Sequence, residues 1–275
     1  MQQIILLEDL EKLSPYINEN MMRHIKLGQI AKFECHEQIN FISFDWVDIL
    51  DVNSERTQII IYFSEDNLFF ICQDEQCLKK VKNLVKEGTS HERIVYSFFL
   101  ELISGDTDFL EKLEENITDK EDDLITNSKR EGTQDIIAFR RELIKLKKYY
   151  EQLNHIFEGL IENENHLITH ENLRYFRILD SRVDRLFATV LNLRDYVTQV
   201  REAYQAQIDI EQNSIMKVFT VVTAIFLPLT LLVGWYGMNL RLPEFSWKYG
   251  YPFIVSLSII IVIVCIIIFK RKKWF

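Results

Sequence analysis

Residues 213–245 read NSIMKVFTVVTAIFLPLTLLVGWYGMNLRLPEF, and this stretch decides the fold. Its central part, residues 218–236, contains no charged side chain and has about the 20 residues that a helix needs to cross a membrane. A second charge-free run, residues 251–269, follows after a short polar link. Two such runs in tandem at the end of a polar chain predict a pair of transmembrane helices rather than buried core helices.

The charges that flank the two spans predict their orientation. Residues 270–275 read KRKKWF, and positive residues mark the cytoplasmic side of a span. Because two spans form a hairpin, residues 1–217 are also expected in the cytoplasm and the loop at 239–250 outside. The chain is therefore predicted to be a multi-pass plasma-membrane protein with both termini in the cytoplasm. The outer boundary carries an aromatic belt, formed by Trp235, Tyr236, Trp247, Tyr249 and Tyr251.

Composition excludes several classes of function. The chain has 32 basic and 41 acidic side chains, which gives a formal net charge of −9, so nucleic acid is not an expected partner. Its 4 cysteines show neither zinc-ligand nor disulfide-framework spacing. We find no glycine-rich phosphate loop and no Ser/His/Asp or Cys/His arrangement in the sequence. The sequence therefore predicts neither an enzyme nor a resident cofactor.

Residues 1–105 have the pattern of an α+β cytoplasmic domain, in which helices pack on a mixed sheet. Apolar, β-rich runs at 39–44, 58–63 and 68–72 predict strands, and the residues SEDN between the last two favour a hairpin turn. Helical spacing occurs in two further segments, 7–26 and 91–103.

A long helix is predicted in the second half of the chain. Residues 106–168 are expected to form a helical hairpin that stops and restarts at Gly132 and Thr133. From residue 169 the apolar positions step by three and four, which is a heptad seam. Because residues 208–227 contain no glycine or proline, the stalk at 169–217 should run unbroken into the first span, 218–238. The seam consists of Phe176, Leu179, Val183, Leu186, Val190, Leu193, Val197, Val200 and Tyr204.

One face of the first span is polar. A stripe of this kind serves either close packing between helices or the lining of a wet path, and composition alone does not separate the two. A two-span subunit cannot enclose a pore, so the second role requires a ring of subunits with this helix innermost. In a membrane-anchored coiled-coil scaffold the stripe would serve packing alone. Its members are Asn213, Met216, Thr220, Thr223, Leu227, Thr230, Gly234 and Gly237.

The stretch at 213–245 resembles the CorA family of magnesium transporters. The motif YGMN after FLPLT, the following PE, the YP that opens the second span and the basic end KRKKWF carry the resemblance. It implies a homopentameric funnel in which α+β cytoplasmic domains precede a long stalk helix, continuous with the first of two transmembrane helices. The implied function is passive influx of hydrated Mg²⁺ through a pore lined by five first spans.

The resemblance also implies site residues. Gly237, Met238 and Asn239 match the outer entry motif, where Asn239 amides would accept hydrogen bonds from the water shell that Mg²⁺ sheds reluctantly. Glu244 in the outer loop would add negative potential near the entrance. The pore-lining positions combine polar stations with apolar rings that close the path by dewetting. They are Asn213, Met216, Phe219, Thr223, Leu227 and Thr230.

One departure from the family pattern concerns regulation. Relatives have an aspartate directly after YFR that helps to bind an inhibitory metal ion between subunits, whereas Ile178 follows that motif here. Asp180 or Asp184 is the expected substitute in a cytoplasmic site for regulatory Mg²⁺. Because relatives also carry Co²⁺ or Ni²⁺ and a zinc-transporting branch shares much of the motif, the transported ion is Mg²⁺, Co²⁺, Ni²⁺ or Zn²⁺.

Overall fold

The computed structural model of the 275-residue chain divides it into two units, Met1–Arg201 and Glu202–Phe275. The structure describes residues 1–28, 32–47, 49, 57–86, 88, 90–127, 132–238, 247–272 and 274, with backbone alone at 125–127 and 132–133.

The first unit is built on a five-stranded mixed sheet in the order β1-β5-β4-β3-β2. Strand β1 pairs with β5 in parallel, with Gln2 opposite Leu68, and the other neighbours are antiparallel. The mixed sheet predicted from the sequence is thereby confirmed. The strands are β1 (Gln2–Leu6), β2 (Phe33–His36), β3 (Ile39–Trp46), β4 (Thr57–Ser64) and β5 (Leu68–Cys72).

The central strands are buried on both faces, which explains their unbroken apolar runs. One face packs against the N-terminal helical segments through a cluster that includes Leu10, Leu13 and Ile17. On the opposite face Phe70 lies 5.0 Å from Phe98, measured between ring centroids. Alternation along the strands thus gives each face its own aromatic core.

The helix expected at 7–26 is wrong as a single element. A 3-10 helix (Leu7–Leu13) is followed by α1 (Glu19–Lys26), and Pro15 lies between them. Proline has no N–H to continue a helical ladder. Asn18 then begins α1 by accepting a hydrogen bond from the N–H of Asn20. Strands β1 and β2 and helix α2 (Glu75–Leu84) had no sequence prediction.

Three helices complete the frame around the sheet: α3 (His91–Leu102), α4 (Asp106–Asn127) and α5 (Gly132–Glu162). The hairpin of α4 and α5 agrees with the predicted stop and restart near Gly132. Gly159 brings α5 against β2, because a Cβ at this position would overlap the ring of Phe33.

The predicted long helix is confirmed as α6 (His170–Tyr236), a single element of 67 residues. All nine members of the predicted heptad seam are buried. The helix begins where the buried carboxylate of Glu92 accepts hydrogen bonds from the N–H of Thr169 at 2.8 Å and from its hydroxyl at 3.2 Å. This contact fixes the start of α6 to α3.

The second unit contains the two predicted spans, residues 218–236 of α6 and the separate helix α7 (Gly250–Arg271). Both helices are long and apolar enough to cross a membrane. Only 6% of the most apolar window in α6, and none of that in α7, is buried inside the chain. This exposure distinguishes them from core helices of a water-soluble domain.

Candidate ion pathway on helix α6

Burial divides the spanning part of α6 into two faces. Buried or half-buried positions recur every three or four residues, and α7 has a matching stripe. The stripes meet where the Sγ of Cys265 lies 3.8 Å from the carbonyl oxygen of Ala224. One face of α6 is therefore occupied by the chain's own second span. The α6 stripe is 221, 224, 225, 228, 229, 232 and 236, and the α7 stripe is 254, 257, 258, 261, 262, 265 and 269.

The predicted pore-lining residues lie on the other face of α6. All six are exposed, with exposed fractions of 61% for Met216, 64% for Phe219 and 64% for Leu227. At 3.6 residues per turn, the centre of this stripe is about 165° from the α7-facing stripe. The structure thus brings the six onto one exposed face of α6. They are Asn213, Met216, Phe219, Thr223, Leu227 and Thr230.

The threonine hydroxyls on this face are oriented by their own helix. Thr220, Thr223 and Thr230 each donate to the carbonyl four residues earlier, at 2.8 Å in every case. Because each hydroxyl proton is used in this bond, the oxygen presents lone pairs to a neighbour. The stripe therefore offers acceptors, which suit the outward-pointing hydrogens of a hydrated cation.

The backbone at the C-terminal end of α6 requires a glycine at position 237. Its N–H donates to the carbonyl of Val233 at 2.8 Å, and a Cβ at this position would lie 2.8 Å from the same oxygen. A side chain at position 237 would therefore force the backbone to shift. Met238 follows and is 47% exposed. Asn239 and Glu244, the other predicted residues of the entry, lie outside the described residues.

The predicted regulatory pair lies in the N-terminal part of α6. The Oδ1 of Asp184 accepts a hydrogen bond from Asn154 Nδ2 at 3.0 Å. The pKa of Asp180 is raised by burial and by the negative charges of Asp184 and Glu158. Within the described ranges, no three His, Cys, Asp or Glu side chains are arranged to hold a metal ion. A regulatory metal site at Asp180 and Asp184 therefore stays a prediction.

Two residues of the second unit had no assigned role in the sequence interpretation. Pro228 lies inside α6. Cys265 on α7 contacts the carbonyl oxygen of Ala224, four residues before that proline. For Pro228 the sequence did contain a signal, namely a proline in the middle of a charge-free span. Nothing in the sequence paired it with a cysteine 37 residues later, because that pairing depends on how α7 packs.

Comparison with known proteins gives consistent matches. The family described as CorA-like Mg²⁺ transporter protein matches residues 7–271. A cobalt/magnesium transport protein CorA from Thermotoga maritima is 31% identical over 274 residues, which cover 95% of this chain and 77% of the relative.

Solved structures agree in fold. The chain is similar to the CorA magnesium transporter from Methanocaldococcus jannaschii, with a TM-score of 0.77 at 22% identity, covering 98% of this chain and 88% of that one. It is also similar to the cytoplasmic domain of ZntB from Vibrio parahaemolyticus, with a TM-score of 0.61 at 16% identity, covering 73% and 84% of the two chains.

Proposed function

Because the chain belongs to the CorA family of Mg²⁺ transporter proteins, we propose that it is a passive influx channel for hydrated Mg²⁺ in the plasma membrane. The observation that carries this proposal is the exposed stripe on α6, opposite the face that α7 covers. Five copies arranged around an axis would bury this stripe and line a conduit with it. The family is one of transporters, so an enzymatic role is not proposed.

The ion keeps its water shell in this mechanism. Mg²⁺ dehydrates reluctantly, so a channel gains most from groups that accept hydrogen bonds from its bound waters. Thr223 and Thr230 have the required acceptor character because their protons are bonded to α6 itself. A ring of Asn239 amides would select the hydrated ion at the outer mouth, next to the turn that Gly237 permits.

Closure of the path is assigned to the apolar positions. Rings of Leu227, Met216 and Phe219 would exclude water when the helices approach, since an apolar constriction gates by dewetting. Regulatory Mg²⁺ bound near Asp180 and Asp184 would favour that closed arrangement. Both termini would lie in the cytoplasm, where the basic end at 270–275 satisfies the positive-inside rule.

The membrane potential supplies the driving force. Moving one charge through 100 mV is worth about 2.3 kcal/mol, so a divalent ion gains about twice that amount on entering a negative interior. No nucleotide-binding motif in the sequence suggests a pump.

A second candidate is transport of Zn²⁺, Co²⁺ or Ni²⁺ by the same route. The Thermotoga relative is a cobalt/magnesium transport protein, and the ZntB cytoplasmic domain is similar in fold to 73% of this chain. A coiled-coil scaffold without transport is the remaining alternative, since the stripe on α6 also suits helix packing.

Flux into proteoliposomes with an internal Mg²⁺ indicator tests the proposal. We expect Mg²⁺ entry that Asn239→Ala lowers at least about tenfold, the effect of losing one well-placed polar interaction. Asn83→Ala, an exposed asparagine on α2, is the control and should leave flux unchanged.

The outcomes separate the candidates. No flux in the unmodified protein supports the scaffold, and unchanged flux in Asn239→Ala removes this residue from the entry. Competition by Co²⁺, Ni²⁺ and Zn²⁺ in the same vesicles ranks the ions. Size-exclusion chromatography of each variant shows whether the assembly stays intact.

A further inference from the structure

The first span has a built-in gap in its hydrogen-bond ladder. Pro228 has no N–H, so the carbonyl of Ala224 loses the donor that a helix normally supplies four residues later. In a membrane no water replaces that donor, and a neighbouring helix or side chain has to do so.

A donor lies opposite the gap. Cys265 on α7 places its Sγ 3.8 Å from the carbonyl oxygen of Ala224, within the range of a thiol hydrogen bond. The two serines of α7 do not compete for this role. Ser256 donates to Pro252 and Ser258 to Ile254, both carbonyls of their own helix at 2.9 Å.

The gap also lies beside the proposed path. Leu227 and Thr230 lie within two residues of Pro228 and belong to the exposed stripe. Ala224 and Pro228 belong to the stripe that faces α7. Thr230 donates to the carbonyl of Phe226 on the exposed side. The helix around Pro228 therefore has a side-chain hydrogen bond on its exposed face, from Thr230, and another on the face toward α7, from the Cys265 thiol.

We propose that Cys265 is a positioning residue, whose thiol hydrogen bond to the Ala224 carbonyl fixes the first span at Pro228 and so holds Leu227 and Thr230 in place. The bond itself does not depend on transport, whereas its effect on ion flux rests on the proposed channel function. Losing the donor leaves the segment around Leu227 less constrained, so the constriction opens more readily.

Infrared spectroscopy of the full chain in bilayers tests the bond directly. The difference spectrum between the unmodified protein and Cys265→Ser isolates the S–H stretching band of Cys265. We expect a band shifted to the frequency of a hydrogen-bonded thiol. In Pro228→Ala, where the N–H of residue 228 shares the Ala224 carbonyl with the thiol, the band should shift toward the free-thiol frequency. A free-thiol band in the unmodified protein overturns the proposal.

Flux measurements test the consequence. We expect Cys265→Ala to raise Mg²⁺ entry about threefold to fivefold, the size of one net hydrogen bond. Cys265→Ser keeps a donor and should stay at the unmodified rate. In the Pro228→Ala background the alanine substitution should have a smaller effect, because the N–H of residue 228 then also supports the Ala224 carbonyl, and an equal effect in both backgrounds shows a packing role instead. Absence of flux in the unmodified protein refutes the channel and leaves the infrared result to decide the bond.

Discussion

The two units of the chain differ in how far their large apolar side chains are buried. In Met1–Arg201, Phe70, Phe99 and Phe157 are fully buried among one another and the sheet. In Glu202–Phe275, Phe226 is 62% exposed and Val233 70%. The first unit forms its core from its own residues. The second has no such core, so its apolar surface requires lipid or further copies of the chain.

We expect the largest change in the free energy of unfolding when a phenylalanine of the first unit is replaced, and a much smaller one for a phenylalanine of the second. Phe99→Ala should lower the free energy of unfolding by about 3–5 kcal/mol, because it opens a cavity in the aromatic core. Phe226→Ala should cost less than about 1 kcal/mol within the chain, because its ring is already exposed. Urea unfolding of the full chain in detergent measures both. Similar losses in the two variants would contradict the contrast between the units.

A buried carboxyl gives the first unit a pH dependence. Asp106 is 1% exposed, and its Oδ2 accepts a bond from the hydroxyl of Tyr150 at 2.9 Å. Its Oδ1 has no hydrogen-bond partner among the described residues. Burial raises the pKa of Asp106 from 3.8 to about 6, against the opposing effects of Tyr150 and of the Arg182 charge.

The sign of the effect follows from proton binding. Because the folded pKa is higher, the folded state binds more protons between these two values, and stability falls as pH rises through the window. The loss is about 3 kcal/mol by pH 7.5, at about 1.4 kcal/mol per pKa unit. Asp106→Asn should remove that loss and be the more stable protein at pH 7.5, while matching the unmodified protein near pH 4. Unfolding at both pH values measures it, and the exposed Asp108→Asn is the control.

Two helical glycines offer a smaller comparison. Gly159→Ala should destabilise the first unit by about 1–3 kcal/mol, because its Cβ overlaps the ring of Phe33. Gly234 in α6 has nothing within 4 Å of an added Cβ, so Gly234→Ala should stabilise the helix by up to about 1 kcal/mol. Thermal unfolding distinguishes the two. If Gly234→Ala instead weakens the assembly, copies of the chain pack closely at that position.

We expect the smallest effect when a threonine of the exposed stripe on the first span is replaced, and none when a surface threonine of the first unit is replaced. Thr230 and Thr198 both donate to the carbonyl four residues earlier, at 2.8 Å and 3.0 Å. Thr230→Val should lower Mg²⁺ flux about threefold to tenfold, since one acceptor per subunit is lost. Thr198→Val should leave flux unchanged. Equal fluxes for Thr230→Val and the unmodified protein would place Thr230 outside the path.

The helices of this protein could be predicted from the sequence more completely than the sheet. The heptad seam from Phe176 to Tyr204 needs only local periodicity, and each of its members is buried. Apolar runs in the sequence predicted strands β3, β4 and β5. Strands β1 and β2 are short and lie at the edges of the sheet. Strand β1 pairs with the distant β5, so no local pattern predicts it, and β2 has only 4 residues, too few for a clear periodicity. The single helix expected at 7–26 is wrong because Pro15 has no N–H to continue the helical ladder.

For the candidate pathway, the sequence predicted which residues share a face but not what covers the other face. The spacing of Asn213, Thr223 and Thr230, which are 10 and 7 residues apart and so close to whole helical turns, sufficed to group them. The role of Pro228 and Cys265 depends on the packing of α7 against α6, which no local pattern contains.

The composition of the first span also bears on energy coupling. Residues 218–236 contain no Asp, Glu, Lys, Arg or His, and its threonine protons are bonded to helix carbonyls. Such a surface has no group that exchanges a proton near neutral pH. In the proposed channel, coupling of ion movement to H⁺ would therefore have to use residues outside 218–236.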